Sequence, residues 1–276
     1  MNRSQSTRWL ILVLGIIFLA AGVPAQSQQQ EGEYQPQVGQ AGKDVVWVPT
    51  SESLVDKMLD LAKVTPQDYL IDLGSGDGRT VIAAAKRGAR AHGIEYNPDM
   101  VSLSIRNAAA AGFSDKATFA KADLFESDFS KASVITMFLL PDINMKLRPK
   151  LLNLKPGTRI VSNSFTMEDW QADETARAET GCQTWCTAYL WIVPAKVEGK
   201  WQLPKGELAF TQLFQMISGT LSLDGKDIPV SGKLNGDQIS FHAGDAEYSG
   251  RVNGDTISGT IKTGAIESAW TATRSK

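Results

Sequence analysis

Histidine and cysteine are scarce in this chain. There are two of each in 276 residues: His92 and His242, Cys182 and Cys186. Two histidines and one close pair of cysteines do not make up the ligand set of a zinc centre, so no metal site is expected. No histidine-based catalytic pair, no nucleophilic triad and no phosphate-binding lysine loop is found. A basic excess is also lacking. Lys and Arg number 28 against 30 Asp and Glu, a net charge of −2, which argues against nucleic acid as a partner. The hydrophobic fraction of 42% and charged fraction of 21% are those of an ordinary globular chain.

The N-terminus departs from that background. Arg3 and Arg8 precede an apolar run over residues 9–22, and Val23-Pro24-Ala25 follows with small-residue spacing. This is the pattern of an export signal over 1–25, cleaved before Gln26. The other reading is an uncleaved membrane anchor, although the run is shorter than the roughly 20 residues of a full span. Either way the rest of the chain is expected outside the cytoplasm, periplasmic or extracytoplasmic, with membrane contact only through this segment. Export permits a disulfide between Cys182 and Cys186; a local disulfide and two inert thiols both remain open.

Residues 26–43 are polar and Gln-rich and read as a flexible linker. From Asp44 onward the patterns are those of folded elements. Thr50 or Ser51 is placed to cap a helix with Leu54, Met58, Leu61 and Ala62 on one face. Short apolar strands are expected at 69–73, 92–96, 117–124, 133–140 and 159–165, with helices at 79–87, 98–111 and 142–152 between them. Strand–helix alternation implies an α/β fold, a doubly wound and mostly parallel sheet with its ligand at the carboxyl ends of the strands. A further strand at 187–193 completes this domain, taken as 44–203. In 204–276 the helical period disappears. Asp224-Gly225, Asn235-Gly236 and Asn253-Gly254 mark hairpin turns, and residues 232–240 resemble 250–258. This region reads as a small antiparallel β-meander or half-barrel.

The chemistry gathers at the first strand. Asp72-Leu73-Gly74-Ser75-Gly76-Asp77-Gly78 follows a strand and opens a helix, where glycines allow a tight turn and close approach of a ligand. The spacing is Gly-x-Gly-x-Gly, and Asp72 and Asp77 place carboxylates where a pyrophosphate would be repelled. A sulfonium and an ammonium would be attracted instead. Glu95 ends the second strand, with two oxygens to accept from a ribose. Asp123 ends the third, where it is placed to accept from an adenine amino group. Acids at three successive strand ends fit S-adenosyl-L-methionine better than a dinucleotide.

These stretches resemble the class I, seven-strand, Rossmann-like S-adenosylmethionine-dependent methyltransferases. The nearest likeness is to the protein lysine methyltransferase group that includes mitochondrial enzymes acting on the ATP-synthase c-subunit, and bacterial relatives. It is carried by Val48-Pro49-Thr50, by the run from Asp72 through Arg79 to Lys86, by Gly93-Ile94-Glu95-Tyr96-Asn97-Pro98, by Ala122-Asp123-Leu124 and by Leu139-Leu140-Pro141, within residues 44–165. It implies a cofactor site of Asp72, Gly74, Ser75, Gly76, Asp77, Gly78, Glu95, Asn97, Asp123 and Leu124. It also implies transfer of a methyl group to a nucleophile, above all a protein lysine amine. Two other readings are a small-molecule methyl acceptor and a non-catalytic extracytoplasmic scaffold. Asn163 stands where bacterial relatives often carry histidine. The acceptor pocket is expected at Leu140-Pro141-Asp142, closed by Val48-Pro49 and Phe165, with Trp47 and Trp170 as lining candidates. Asp142 is the one candidate to orient an amine, against the plainer reading of a helix N-cap.

Overall fold

The computed structural model describes residues 1 and 34–275. The expected signal segment and the first part of the expected linker, residues 2–33, lie outside the described residues.

Ser51 caps the first helix, α1 (Glu52–Leu61), accepting from the Leu54 amide. Then follow β1 (Tyr69–Leu73), α2 (Arg79–Lys86), β2 (Arg90–Glu95), α3 (Pro98–Ala110), β3 (Ala117–Lys121), β4 (Val134–Met137), α4 (Pro141–Leu151), β5 (Arg159–Asn163), β6 (Glu174–Arg177) and β7 (Thr187–Ile192). The seven strands form one sheet in the order β3-β2-β1-β4-β5-β7-β6. β7 is antiparallel to both β5 and β6, and the other pairings are parallel. The strand order reverses between β1 and β4, the place where an open α/β sheet leaves a crevice.

The central strands are apolar on both sides. Leu70, Val134, Val161 and Leu190 enter one core with α1 and α2. Their neighbours Ile71, Ile135, Ile160 and Trp191 enter another with α4. Consecutive strand residues point to opposite faces, so a sheet covered on both sides needs near-continuous apolar strands. β6 had no such signal. Its residues are exposed or half-exposed at the sheet edge.

Eight further strands follow: β8 (Gly199–Leu203), β9 (Gly206–Leu213), β10 (Met216–Leu223), β11 (Lys226–Asn235), β12 (Gln238–Ala243), β13 (Ala246–Asn253), β14 (Thr256–Thr263) and β15 (Ile266–Arg274). They make a closed antiparallel barrel. The turn signals fall where expected; Asp224 and Gly225, for example, both have positive φ, at 49° and 75°, as a two-residue hairpin turn requires. The expectation of a meander or half-barrel beginning at Pro204 is corrected in two ways. The first barrel strand starts at Gly199, and the ends meet because β15 pairs with β8 through Thr273 and Arg274. The interior is filled by side chains such as Trp201, Phe210, Phe241, Tyr248 and Trp270, as suits an eight-strand barrel.

Barrel and sheet have separate cores, joined by one aromatic contact and backbone bonds. Phe214, in the turn between β9 and β10, stacks on Trp170 at 5.7 Å between ring centroids. Trp170 in turn accepts from the Trp191 indole at 2.7 Å through its carbonyl oxygen. The Gln215 amide group donates to the Gln171 carbonyl, and the Ala195 amide to the Gly236 carbonyl.

The linker expectation is corrected where the structure describes it. Residues 34–43 are folded. The Gly39 amide donates to the Trp47 carbonyl, the Trp47 amide to the Gln40 carbonyl, and the Gly42 amide to the Val45 carbonyl. The Gln40 side chain also bonds the Tyr34 hydroxyl. A Gln-rich composition hid a segment held by backbone pairing.

Candidate cofactor and acceptor site

The loop after β1 is shaped by glycines with φ of 79° at Gly74, 54° at Gly76 and 83° at Gly78. A side chain is strained at any of these positions. At Gly76 it would also collide with Trp47, whose indole nitrogen lies 2.7 Å from where a Cβ would stand. The Gly74 and Ser75 amides donate to the Ile94 carbonyl at 2.9 and 3.0 Å, which ties the loop to β2. Glu95 is fixed at both oxygens: the Gly76 amide donates to one and the Asn97 amide to the other, each at 2.9 Å.

Asp72 is buried, and the Thr136 hydroxyl donates to it at 2.6 Å. Burial pushes its carboxyl up to about 7, Glu95 and Asp77 add to the rise, and the Thr136 bond opposes it. Asp77 is paired with Arg79, whose Nη2 lies 2.6 Å away. Nη1 of the same guanidinium donates to the Thr50 carbonyl at 2.8 Å. The loop acid is thereby bridged to the Val48-Pro49-Thr50 entry. Asp123 lies two residues beyond the end of β3. Its Oδ2 accepts from Lys43 at 2.6 Å and its Oδ1 from the Phe125 amide at 2.9 Å. The Lys43 bond holds the Asp123 carboxyl below its ordinary value.

These groups face one cavity of about 220 Å³. Of the ten expected cofactor residues, nine line it and Gly78 does not. A Cβ at Gly78 would meet Phe119 and Ser104 at 2.8–2.9 Å, so this glycine serves packing of α2 against β3 and α3. Asn97 has a second task as N-cap of α3, accepting from the Asp99 amide.

The chain is 41% identical over 152 residues to a protein-lysine N-methyltransferase of Saccharolobus islandicus, covering 94% of that protein and 54% of this chain. It belongs to the class I S-adenosylmethionine-dependent methyltransferases, in the group that includes the protein-lysine enzymes.

Residues 72–174 of this methyltransferase match the family described as the ANTKMT methyltransferase domain. It is 36% identical over 130 residues to the mouse lysine N-methyltransferase of the ATP-synthase c-subunit. That match spans about half of each chain, 47% of this one and 52% of the mouse protein. Among solved structures it is similar to an RNA methyltransferase from Salinibacter ruber in complex with S-adenosyl-L-homocysteine. The identity is 48% and the TM-score 0.51, over 54% of this chain and 96% of that one.

S-adenosylmethionine is the cofactor of this methyltransferase, and the cavity's own groups fit it. Five acidic side chains line the walls, Asp44, Asp72, Asp77, Glu95 and Asp123, against two basic ones, Lys43 and Arg79. Such an excess favours a ligand whose methionyl end carries a sulfonium and an ammonium. Ser75 also has a buried hydroxyl without a hydrogen-bond partner among the described residues.

Several expectations for the acceptor side are corrected. Asp142 is not the N-cap of α4; Leu140 holds that place and Asp142 lies in the first turn. There it is exposed and off the cavity wall. Its acidic charge suits the positive end of a helix. Pro141 is likewise off the wall, whereas Leu140, Val48, Pro49, Phe165 and Trp47 line it. Trp170 does not, being fully buried in the sheet core against the barrel's Phe214. Asn163 is buried behind the wall and donates to the Thr50 hydroxyl at 3.1 Å. Sequence reasoning missed Lys43, Phe138 and Trp185. Trp185 sits between Cys182 and Cys186, which form a disulfide, and the pair alone drew attention.

Proposed function

We propose that this methyltransferase transfers the cofactor's methyl group to the side-chain amine of a protein lysine, and does so outside the cytoplasm. The observation that carries the acceptor class is the charge of the cavity. Five acids face two bases; Lys43 pairs with Asp123 and Arg79 with Asp77, which leaves Asp44, Glu95 and Asp72, the last with its carboxyl raised to about 7, in excess. A cationic acceptor is drawn to such a mouth, while a polyphosphate backbone is repelled.

The bound cofactor supplies an electrophilic methyl group, and its departing sulfur is neutral. The protein's share is to align the nucleophile and strip it of water. Leu139, Leu140, Phe138 and Phe165 make the acceptor side of the cavity apolar. An amine entering there is desolvated, which lowers its proton affinity and exposes its lone pair. The Thr50 hydroxyl, to which Asn163 donates, is a polar group on the same cavity wall.

Two observations support the wider reading. The relatives named for methylation of protein lysine and of the ATP-synthase c-subunit share this α/β region. The Cys182–Cys186 disulfide accords with an oxidising compartment and with export by the leader over 1–25. Retention of that leader as a membrane anchor is the variant of the same proposal.

An RNA acceptor is the second reading, favoured by the description of the Salinibacter ruber relative. Incubation of the full chain with methyl-labelled cofactor and an envelope extract separates the readings. Label in protein, at the Nζ of lysine on peptide mass analysis, is expected. Label in RNA or in a small molecule overturns the lysine acceptor. No transfer and no cofactor binding, with Glu95→Ala indistinguishable from wild type, favours a scaffold on this fold.

A further inference from the structure

Large apolar side chains are rarely left in water around a cavity unless something covers them. Trp185 is 47% exposed and Leu140 45%, and both line the cavity. Phe138 and Phe165 stand beside them, half-buried. The three rings arrive from three different segments at the carboxyl edge of the sheet: Phe138 just after β4, Phe165 just after β5, Trp185 just before β7. Their centroids are 5.2–6.2 Å apart. The two phenyl rings are stacked at 21°, and the indole is tilted by 58° and 43° against them, so the trio makes a corner rather than a pile.

Trp185 is held there against its preferences. Its backbone is left-handed, with φ of 59°, a conformation that a bulky residue adopts only under constraint. The constraint is the disulfide that closes the five-residue loop from Cys182 to Cys186. Cys186 is buried in the domain while Cys182 packs against the α1 core, so the loop is anchored at both feet. A packing role alone would bury the indole; this loop presents it.

We propose that Phe138, Phe165 and Trp185 form a three-ring seat that selects a cationic alkylamine acceptor through the faces of its rings. The seat deepens, and rests on, the lysine reading above. A cation within about 6 Å of an aromatic centroid is attracted by the ring quadrupole, more strongly where water is excluded. The acidic cavity behind the rings adds a longer-range attraction of the same sign. A nucleobase would also stack on such rings, but its phosphates would be repelled by the acidic cavity behind them. Apolar walls around an amine favour its neutral form, while ring faces favour its cationic form. The seat therefore governs capture of the amine, and a fully methylated, quaternary amine, which has no proton to lose, is held as well.

The test uses two probes of equal shape, choline and 3,3-dimethylbutan-1-ol, which differ in a quaternary nitrogen against a carbon. Both are titrated calorimetrically into the full chain saturated with S-adenosyl-L-homocysteine. Choline is expected to bind at least about 5-fold more tightly, the ratio equivalent to roughly 1 kcal/mol of cation–π attraction. Trp185→Ala should abolish that ratio and leave affinity for S-adenosyl-L-homocysteine unchanged. Trp185→Phe should keep most of it, and Phe138→Leu, which retains apolar volume without a ring, should reduce it. Equal binding of the two probes to wild type, or an unaltered ratio in Trp185→Ala and Phe138→Leu, overturns the seat. Failure of the seat and failure of the lysine reading are separable. Label appearing in RNA while choline is still preferred refutes only the lysine acceptor; label in protein lysine without any preference refutes only the seat.

Discussion

Glycine does different work in the two halves of this molecule. In the α/β half, Gly76 leaves room at the cavity wall for the Trp47 indole and a ligand. In the barrel, a Cβ at Gly259 would stand 1.9 Å from the Ser249 carbonyl oxygen, and at Gly219 1.8 Å from that of Ala209. There glycine lets one strand close against the next. One half omits side chains to admit a guest. The other omits them to exclude everything, and its interior is packed with aromatic residues.

The sharpest way to break this division is at the residue that both halves share. Trp170→Ala empties the stack against Phe214 and Trp191. A loss of about 3–5 kcal/mol is expected from such a truncation, measured by denaturant unfolding, with the single transition splitting if the barrel uncouples. Glu95→Ala should act on one half only. Cofactor affinity should fall by about 100-fold or more, since charged hydrogen bonds contribute roughly 1.5–3 kcal/mol each, and the melting temperature should fall with it, because the Gly76 and Asn97 amides lose their acceptor. A calorimetric titration against Glu95→Gln reads it. Gly259→Val is the converse. Overpacking should cost about 1–3 kcal/mol or more while cofactor affinity stays at the wild-type value; a coupled loss of affinity would show that the barrel reports to the site.

The mildest change is pH. Asp72 has its carboxyl raised to about 7 by burial, so in the cofactor-free protein it takes up a proton as pH falls through 7. Affinity for the cationic cofactor should then drop by about tenfold per pH unit below that point, and Asp72→Asn should be flat. The stability sign is the reverse. A carboxyl with a raised folded value favours the folded state at low pH, and that advantage is lost as pH rises through about 7. Melting curves of the cofactor-free protein between pH 5 and 8, compared with Asp72→Asn, give the second measurement.

Most of the α/β half was legible because its elements carry local signals. Pro98 in its first turn announced α3, an apolar run ending in glycine announced β1, and near-continuous apolarity announced β4. The acids Asp72, Glu95 and Asp123 were legible because they stand at or just past strand ends. β6 was not, since an exposed edge strand such as Glu174-Thr175-Ala176-Arg177 needs no apolar alternation. The hairpins of the barrel were written in their turns, but its closure depends on Thr273 and Arg274 meeting β8 some seventy residues earlier in the chain, which no local pattern encodes. Lys43 was hidden by low-complexity neighbours. Trp185 was hidden because its placement is set by a covalent loop, and Asp142 was overread because an acid near an expected pocket is equally an acid in a first helical turn.

The stack of Trp170 on Phe214 has one more consequence. Trp170 ends the loop that begins at Phe165, and Asn144 and Arg148 of α4 bond that loop's carbonyls. One end of the loop therefore forms part of the acceptor wall and the other is clasped by the barrel. A protein shortened to its relatives' matching half would not be a leaner version of the same catalyst. It would expose an oily scar where Phe214 had been, and the segment carrying Phe165 would keep its α4 bonds but lose the clasp at its far end.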